Sequence, residues 1–228
     1  MDHRGVVHLT SIDPVLYLHP MSKNGLFITI EGNEGSGKST QIKMLETELK
    51  RLGLPVSILR EPGSTGISDK IRGILKDPAN TICPEAELFL FQASRAQLVQ
   101  EVIKPKLAAG EMVIADRFYD STWVYQGWAR GVNLLAIEFT NRLATPGLEI
   151  SKTFLLSVPL EVCTARVTAR GNLDRFELEG KKLLGKIDAG YRELAKNFPN
   201  RVEVIDGNRH ADLVHHDLIN RVLHLYKG

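Results

Sequence analysis

A glycine-rich turn between a strand and a helix constrains the fold of this chain more than any other feature. The apolar run Phe27 to Ile30 predicts a strand, and the apolar spacing of Gln41 to Leu52 predicts a helix. Between them, Gly32 to Ser39 fits the pattern G-x-x-x-x-G-K-[ST], in which backbone N–H groups and the positive end of the helix surround one anion. We therefore expect a phosphate-binding loop rather than a plain glycine turn. Lys38 would reach the β- and γ-phosphates of a nucleoside triphosphate, and the Ser39 hydroxyl would bind Mg²⁺.

The composition of the 228 residues narrows the class of protein. Lys plus Arg (29) nearly balance Asp plus Glu (27), so the net charge of +2 lacks the basic bias of a polynucleotide-binding protein. The two cysteines, Cys83 and Cys163, lie far apart and outside any metal-ligand spacing, which argues against a zinc site or a disulfide and fits a reducing cytoplasm. No apolar run approaches the length of a membrane span. We expect a cytoplasmic protein that binds neither a nucleic acid polymer nor a membrane.

The first 24 residues differ in character from the rest. Their apolar run, Val15 to Leu18, is too short for a signal peptide. We expect residues 1–24 to form a flexible leader to which we assign no function; the alternative is that translation starts at Met21. Residues 25–228 contain no internal repeat, low-complexity run or linker, and they predict a single domain.

Strand and helix patterns alternate along that domain. The predicted strands cover residues 27–30, 55–59, 112–115, 153–158 and 202–205. The predicted helices cover residues 41–52, 67–76, 85–108 (kinked near Pro105), 134–143, 159–169, 179–197 and 211–226. Short strands that are apolar on both faces are typical of a buried parallel sheet. The fold class is therefore α/β, a three-layer sandwich with a central parallel sheet of about five strands flanked by helices.

Charged residues follow the predicted strands at the edge where open parallel sheets bind ligands. Arg60 follows the second strand, and Asp116 and Arg117 follow the third. We expect the Asp116 carboxylate to hold Mg²⁺ or its water, the alternative being a helix cap. Arg60 and Arg117 would grip an anionic substrate; surface ion pairs are the alternative. Arginines around a phosphate loop indicate more phosphate than one nucleotide carries.

Two phosphates that face each other imply phosphoryl transfer between them. A phosphate monoester acceptor is mostly a dianion at neutral pH, because its second pKa is near ~6, so it needs no general base. Arginines and Mg²⁺ would relieve the repulsion between donor and acceptor. On the predicted helix 85–108, Phe91 and Arg95 share one face and would stack on a nucleobase and bond its edge. Core packing of this pair is the alternative.

Five blocks of sequence together resemble a thymidylate kinase, over Leu26 to Tyr226. They are EGNEGSGKST from Glu31, REPGST from Arg60, LFLFQASRAQ from Leu88, DRFYDSTWVYQG from Asp116 and LDRFE from Leu173. The resemblance implies a P-loop NTPase fold with a mobile lid at residues 170–178. It also implies ATP- and Mg²⁺-dependent phosphorylation of dTMP to dTDP in dTTP biosynthesis, by a cytoplasmic homodimer.

The resemblance further implies a role for each matching residue. It implies that ATP is bound by Gly32, Asn33, Glu34, Gly35, Ser36, Gly37, Lys38, Ser39 and Thr40, with Asp206 to Arg209 at the edge of the adenine. It implies that dTMP is bound by Glu31, Arg60, Phe91, Arg95, Arg117, Thr122, Tyr125, Gln126 and Tyr191. It implies catalysis by Lys38, Arg60, Arg117 and Arg170, and Mg²⁺ binding by Ser39 and Asp116. Within this set, Phe91 would stack on thymine, Arg95 would bond its O4 edge, and Tyr125 would favour deoxyribose.

The chain varies from the usual family pattern at a few positions. Glu34 is an acid inside the phosphate loop, so positive charge must come from elsewhere. Arg170 and Arg175 in the lid would supply it, with Arg170 reaching the transferred phosphoryl group. Ser64 stands where glycine is usual, and Phe118 stands where Tyr or His is common.

The sequence leaves two other functions open. A different nucleoside monophosphate kinase would keep the loop and the arginines and prefer another base. A nucleotide-binding regulatory protein would switch shape with ATP or GTP and would need no acceptor site. The arginines and the aromatic residue expected on the acceptor side disfavour this second alternative.

Overall fold

The fold is described by a computed structural model that covers residues 25–171 and 173–227. Its strands are β1 (Phe27–Glu31), β2 (Val56–Arg60), β3 (Met112–Asp116), β4 (Lys152–Ser157) and β5 (Val202–Asp206). All pair in parallel in one sheet of order β2-β3-β1-β4-β5. The predicted central parallel sheet is confirmed. The expectation for the leader, residues 1–24, lies outside the described residues.

Helices connect the strands and cover both faces of the sheet. They are α1 (Lys38–Arg51), α2 (Gly66–Lys76), α3 (Pro84–Leu98), α4 (Lys104–Ala108), α5 (Tyr119–Thr122), α6 (Leu134–Ala144), α7 (Leu160–Arg170), α8 (Arg175–Leu178), α9 (Gly180–Asn197) and α10 (Ala211–Lys227). Two segments, Val99–Ile103 and Trp123–Ala129, have π-helical geometry. Within the described ranges, no helix is long and apolar enough to span a membrane.

Side chains of successive strand residues point to opposite faces, and this alternation builds the three layers. On one face, Ile28 and Ile30 of β1 join a buried cluster with α1 and α10, which includes Leu45 and Leu218. On the other face, Phe27 joins a second cluster with the end of α3 and the π-helical segment that follows it. The three-layer α/β sandwich predicted from the sequence is confirmed.

Two helical regions differ from the prediction. The helix expected over residues 85–108 is divided into α3, the π-helical segment Val99–Ile103, and α4. Pro105 lies in the first turn of α4, where its missing N–H removes one regular helical hydrogen bond. Residues 118–131, for which we predicted no helix, contain α5 and the π-helical segment Trp123–Ala129. The aromatic residues of this stretch hide a helical period, and its wide turns include a bond from Arg130 N–H to the Tyr125 carbonyl.

Candidate active site

The phosphate loop takes the shape that its glycines allow. Gly32 and Gly35 have φ values of 141° and 80°, in the region that side chains other than hydrogen rarely adopt. Space is lacking as well, because a Cβ at Gly32 would lie 2.7 Å from the Leu156 carbonyl oxygen. A Cβ at Gly35 would lie 2.5 Å from the Cys163 carbonyl oxygen. These two positions therefore require glycine for both conformational and steric reasons.

Lys38 lies at the start of α1 with its side chain folded under the loop. Its Nζ donates hydrogen bonds of 2.9 Å to the carbonyl oxygens of Gly32 and Asn33. Burial and the nearby positive charge of Arg117 lower the pKa of Lys38. The ammonium group is thus held where the loop encloses it, in the position expected for a phosphate ligand.

A cavity of about 390 Å³ lies beside the loop. Its walls include Gly35, Ser36, Gly37, Lys38, Ser39, Thr40, Arg166, Arg170, Gly207 and Arg209. Most of the residues predicted to bind ATP therefore line one space, together with part of the segment predicted to border the adenine. Asn33 lies elsewhere and donates a hydrogen bond to Asp188 Oδ1 at 3.2 Å.

A second cavity, of about 250 Å³, lies at the carboxyl ends of β2 and β3. The strand register pairs Arg60 with Asp116, so both side chains reach this edge of the sheet. The predicted residues in its walls are Arg60, Phe91, Arg95, Asp116, Arg117, Tyr125 and Gln126. Glu34, Lys38, Ser39 and Arg170 line both cavities. The spaces predicted for donor and acceptor are therefore neighbours with shared walls.

Arg117 is held between the phosphate loop and α9. Its Nη2 donates to Glu34 Oε1 at 2.9 Å, and its Nη1 donates to the hydroxyl groups of Tyr191 at 2.7 Å and Ser121 at 3.1 Å. Burial raises the pKa of Glu34, but the charges of Arg117 and Lys38 outweigh it and hold the pKa well below its ordinary value. The acid inside the phosphate loop is therefore ionised and neutralised from the acceptor side.

Glu31 ends β1 and is fully buried behind this arrangement. Its carboxylate accepts hydrogen bonds from the Phe118 N–H at 2.8 Å, from Ser121 Oγ at 2.7 Å and from the Tyr191 hydroxyl at 2.8 Å. Burial raises its pKa to about 7, although Arg117 opposes the shift. Glu31 is not among the residues that line the cavity, so the structure places it behind the predicted dTMP ligands and not at their surface.

Arg95 is the largest fully buried side chain in the described chain. Its five N–H groups all donate within the protein, at distances of 2.7–2.9 Å. The acceptors are both carboxylate oxygens of Glu61, Gln92 Oε1, Asn141 Oδ1 and Thr122 Oγ1. A bond from Arg95 to a thymine O4 must therefore replace one of these contacts. Thr122 lies against Arg95 and is not among the cavity-lining residues.

Aromatic side chains also line the acceptor cavity. Phe91 on α3 and Tyr125 on the π-helical segment line it, and burial raises the pKa of the Tyr125 phenol. The Arg117 guanidinium lies 5.3 Å from the centre of the Tyr125 ring. Gln126 also lines the cavity and donates through Nε2 to Glu87 Oε1 at 2.8 Å. Together these residues join a flat apolar surface to fixed positive charge.

Comparison with known proteins identifies the family to which this arrangement belongs. The family model described as thymidylate kinase matches residues 30–218. The chain belongs to the thymidylate kinase family. It is 47% identical over 196 residues to the thymidylate kinase of Geotalea daltonii, covering 82% of this chain and 92% of that protein. It is 43% identical over 204 residues to the thymidylate kinase of Caldanaerobacter subterraneus subsp. tengcongensis, covering 90% of this chain and 98% of that protein.

A solved structure of the family has the same fold. The crystal structure of thymidylate kinase from Ehrlichia chaffeensis superposes with a TM-score of 0.71 at 29% sequence identity. The match covers 88% of this chain and 99% of that one. Both the resemblance inferred from the sequence blocks and the predicted fold class are thereby confirmed.

The residues expected to hold Mg²⁺ in this thymidylate kinase family member lie on one cavity wall. Ser39 and Asp116 both line the acceptor cavity where it meets the phosphate loop. A hydroxyl and a carboxylate are the oxygen ligands that Mg²⁺ uses when water and phosphate complete its shell. Across residues 25–171 and 173–227, no group of three or more acidic, histidine or cysteine side chains could hold a metal alone. The side chains of Ser39 and Asp116 fit Mg²⁺ by the chemistry of their oxygen atoms.

The two lid arginines point in different directions. Arg170 is 55% exposed, forms an ion pair with Glu177, and lines both cavities. Arg175 is buried and donates to the Leu75 carbonyl at 2.8 Å and to Glu87 Oε2 at 2.6 Å. The prediction that Arg175 supplies positive charge to ATP is wrong for this structure, because Arg175 lines neither cavity and its charge is paired with the carboxylate of Glu87 on α3.

The departures from the family pattern have local explanations. Ser64 has a φ of 71°, which explains why glycine is usual there. Its hydroxyl accepts from the Arg60 N–H at 2.9 Å and donates to the Arg60 carbonyl at 3.2 Å, and these bonds offset part of the strain. Phe118 is fully buried and packs edge-to-face on Phe27 at 5.0 Å. It has become a core residue, so it offers no polar contact to a ligand.

Sequence reasoning missed several residues of the site. The cavity walls also contain Glu61, Arg72, Lys76, Ser121, Asp174 and Phe176. Glu61 could have been identified from the sequence, because it follows Arg60 directly within the block REPGST. Nothing in the sequence indicates that Arg72 belongs to the site, since a single arginine on an amphipathic helix is most often a surface residue. Its guanidinium donates to the Pro62 carbonyl at 2.8 Å and faces the acceptor cavity beside Arg60.

Proposed function

We propose that this chain transfers the γ-phosphoryl group of ATP to dTMP, giving ADP and dTDP. One observation carries the proposal: the phosphate-loop cavity and the arginine-lined cavity meet at shared walls. Lys38, Ser39 and Arg170 line both spaces. Groups that face both a donor and an acceptor phosphate are what a direct transfer needs, since positioning and charge stabilisation supply most of the rate.

The reaction needs charge relief more than proton transfer. An oxygen of the acceptor phosphate attacks the γ-phosphorus, and the bond from that phosphorus to the leaving ADP oxygen breaks. The acceptor is already mostly a dianion at pH 7, so no general base is required. Arg60 and Arg117 would hold that dianion against repulsion by the donor. Lys38 and Arg170 would stabilise the charge that shifts towards the γ-phosphoryl oxygens and ADP.

A bound Mg²⁺ would supply positive charge that offsets part of the negative charge on the phosphates of ATP. The Ser39 hydroxyl and the Asp116 carboxylate are the residues that would hold it, directly or through water. On the acceptor side, Phe91 would stack on the base, and Tyr125 and Gln126 would enclose the sugar and base. A single methyl group in an apolar pocket changes binding by about 1–3 kcal/mol, so dUMP is expected to be a poorer but real substrate.

We further propose that the chain forms a homodimer in the cytoplasm. Helix α6 carries exposed apolar residues at every fourth position, namely Leu135, Phe139 and Leu143, which are 69–76% exposed. Phe89 on the neighbouring α3 is 63% exposed and extends this surface. An apolar stripe of this kind favours burial against a second copy of the same surface. The free state of Cys83 and Cys163 fits a reducing compartment.

The proposed function is tested by a coupled assay with ATP, Mg²⁺ and a panel of nucleoside monophosphates. We expect dTMP to have the highest kcat/KM, and Lys38→Ala to lower kcat by about 10²–10³ while the far-ultraviolet circular dichroism is unchanged. A purine monophosphate preferred over dTMP would overturn the assignment of the substrate. ATP hydrolysis that no monophosphate changes would instead support a nucleotide-binding regulatory protein.

A further inference from the structure

The short helix α8 lies in the segment that the family resemblance implies is a mobile lid, and in this structure side-chain contacts join it to the body of the protein. A capping box between Asp174 and Glu177 closes its N-terminal end. Asp174 also forms an ion pair of 2.6 Å with Lys76 at the end of α2. Arg175 donates to the Leu75 carbonyl and to the fully buried Glu87 on α3. These contacts to α2 and α3 therefore hold the N-terminal end of α8 against the body of the protein.

One α8 side chain, Phe176, faces the acceptor cavity. Its ring centre lies 6.1 Å from that of Phe91 and 6.0 Å from that of Tyr125, with interplanar angles of 53° and 82°. The Arg175 guanidinium lies 4.2 Å from the ring centre on its own helix. Phe176 is only partly buried, and it lines the cavity with the other two rings. Three aromatic rings from three elements thus form one corner of the acceptor space.

We propose that Phe176 is a specificity-determining residue, which forms the third aromatic wall of the base pocket and limits the pocket to a pyrimidine. This inference rests on the proposed function and adds to it the residue that sets the size of the base. Phe91 offers a face for stacking, and Tyr125 lies on the side assigned to the sugar. Phe176 closes the space between them, where the second ring of a purine would need room.

This placement has a consequence for how the site is assembled. Phe176 is next to Glu177 in the sequence, and Glu177 forms an ion pair with Arg170. A nucleobase in contact with Phe176 would therefore touch the element that positions Arg170. A purely structural role for Phe176 predicts something else: its loss would lower stability and leave the choice among bases unchanged.

The test compares Phe176→Ala with Leu178→Ala, a matched control on the same helix whose side chain is 57% exposed and faces away from the cavity. We expect Phe176→Ala to raise the KM for dTMP about tenfold, the loss typical of one aromatic contact, and to leave the KM for ATP within about twofold. The ratio of kcat/KM for dTMP to that for dGMP should fall about tenfold or more. Leu178→Ala should match the wild-type chain in all three quantities.

A second variant and a binding measurement distinguish a change in base specificity from a loss of folding. Phe176→Tyr keeps the ring, so it should restore both the KM for dTMP and the base preference. In calorimetric titration with dTMP in the absence of ATP, Phe176→Ala should be the only variant that binds dTMP more weakly than the wild-type chain. If the wild-type chain phosphorylates dTMP and Phe176→Ala keeps its KM and its dTMP/dGMP ratio, this inference is wrong and the proposed function stands. If the wild-type chain does not phosphorylate dTMP, both fail together.

Discussion

Arg117 donates a 2.9 Å hydrogen bond to Glu34, and this contact joins the phosphate loop to the turn that follows β3. Arg117 has a φ of 70°, so its backbone takes the left-handed conformation that turns its side chain back over the loop. The pair explains how an acid is tolerated beside phosphate groups. Its charge is balanced by an arginine that belongs to the acceptor half, and the two halves of the site are thereby coupled.

Replacing Glu34 by Gln should therefore destabilise the fold in a pH-dependent way. The folded-state pKa of Glu34 lies below its ordinary value of 4.5, so its stabilisation is fully present above about pH 4.5 and is lost as the pH falls through the lowered pKa. We expect Glu34→Gln to be less stable than the wild-type chain by about 1–3 kcal/mol at neutral pH. Urea unfolding measured at several pH values checks this, and a difference that stays constant down to about pH 3 would contradict it.

Glu31 should show the opposite dependence. Its folded-state pKa is raised from 4.5 to about 7, so its contribution to stability is fully present below about pH 4.5 and is lost as the pH rises through about 7. Glu31→Gln is uncharged at every pH and lacks this dependence. The stability of the wild-type chain relative to Glu31→Gln should therefore fall between those two pH values, as measured by urea unfolding. Parallel pH curves for the two proteins would show that Glu31 titrates normally.

Arg170 should act on the rate of transfer rather than on folding. Its side chain is 55% exposed and lines both cavities, so Arg170→Ala should lower kcat by about 10²–10³ with little change in melting temperature. Arg51→Ala is the matched control, because Arg51 is 56% exposed and forms an ion pair with Glu48 at the far end of α1. Steady-state assays with saturating ATP and dTMP decide the matter. An unchanged kcat for Arg170→Ala would remove it from the catalytic residues.

The apolar stripe on α6 is the surface at which we expect the proposed homodimer to form. Phe139→Asp places a charge in the centre of that stripe, and it should convert a dimer into a monomer at micromolar concentration, as measured by light scattering after size exclusion. Leu213→Asp is a suitable control, because Leu213 is an exposed apolar residue on α10. A Phe139→Asp protein that elutes with the mass of a dimer would place the interface elsewhere.

The sheet could be predicted from the sequence because its strands are short apolar runs between turn residues. Each of the five strands begins and ends within one residue of its prediction. Helices were predicted less well where the geometry departs from the regular α-helix, and no helix was predicted over Trp123–Ala129. A π-helical turn changes the spacing of buried residues, so the 3.6-residue period that identifies a helix is lost.

The site could be predicted only as far as local motifs reach. Lys38 and Ser39 belong to a motif, and both line the expected cavities. The partners of Arg175 could not be predicted, because Glu87 lies 88 residues away and nothing near either residue indicates their contact. The contacts of Phe176 could not be predicted for the same reason, since its neighbours Phe91 and Tyr125 come from two other elements.

Arg95 supplies hydrogen bonds to acceptors that follow β2 or lie on α3, α5 and α6. Removing it would leave the buried carboxylate of Glu61 without its cation, a loss of about 3–5 kcal/mol that exceeds what a small domain readily tolerates. In a library selected for altered base preference, most Arg95 variants would therefore disappear at the stage of soluble expression, before any substrate is offered. Directed evolution of this enzyme's specificity should begin at Phe176, which lines the cavity and is only partly buried, and should treat Arg95 as a fixed part of the scaffold.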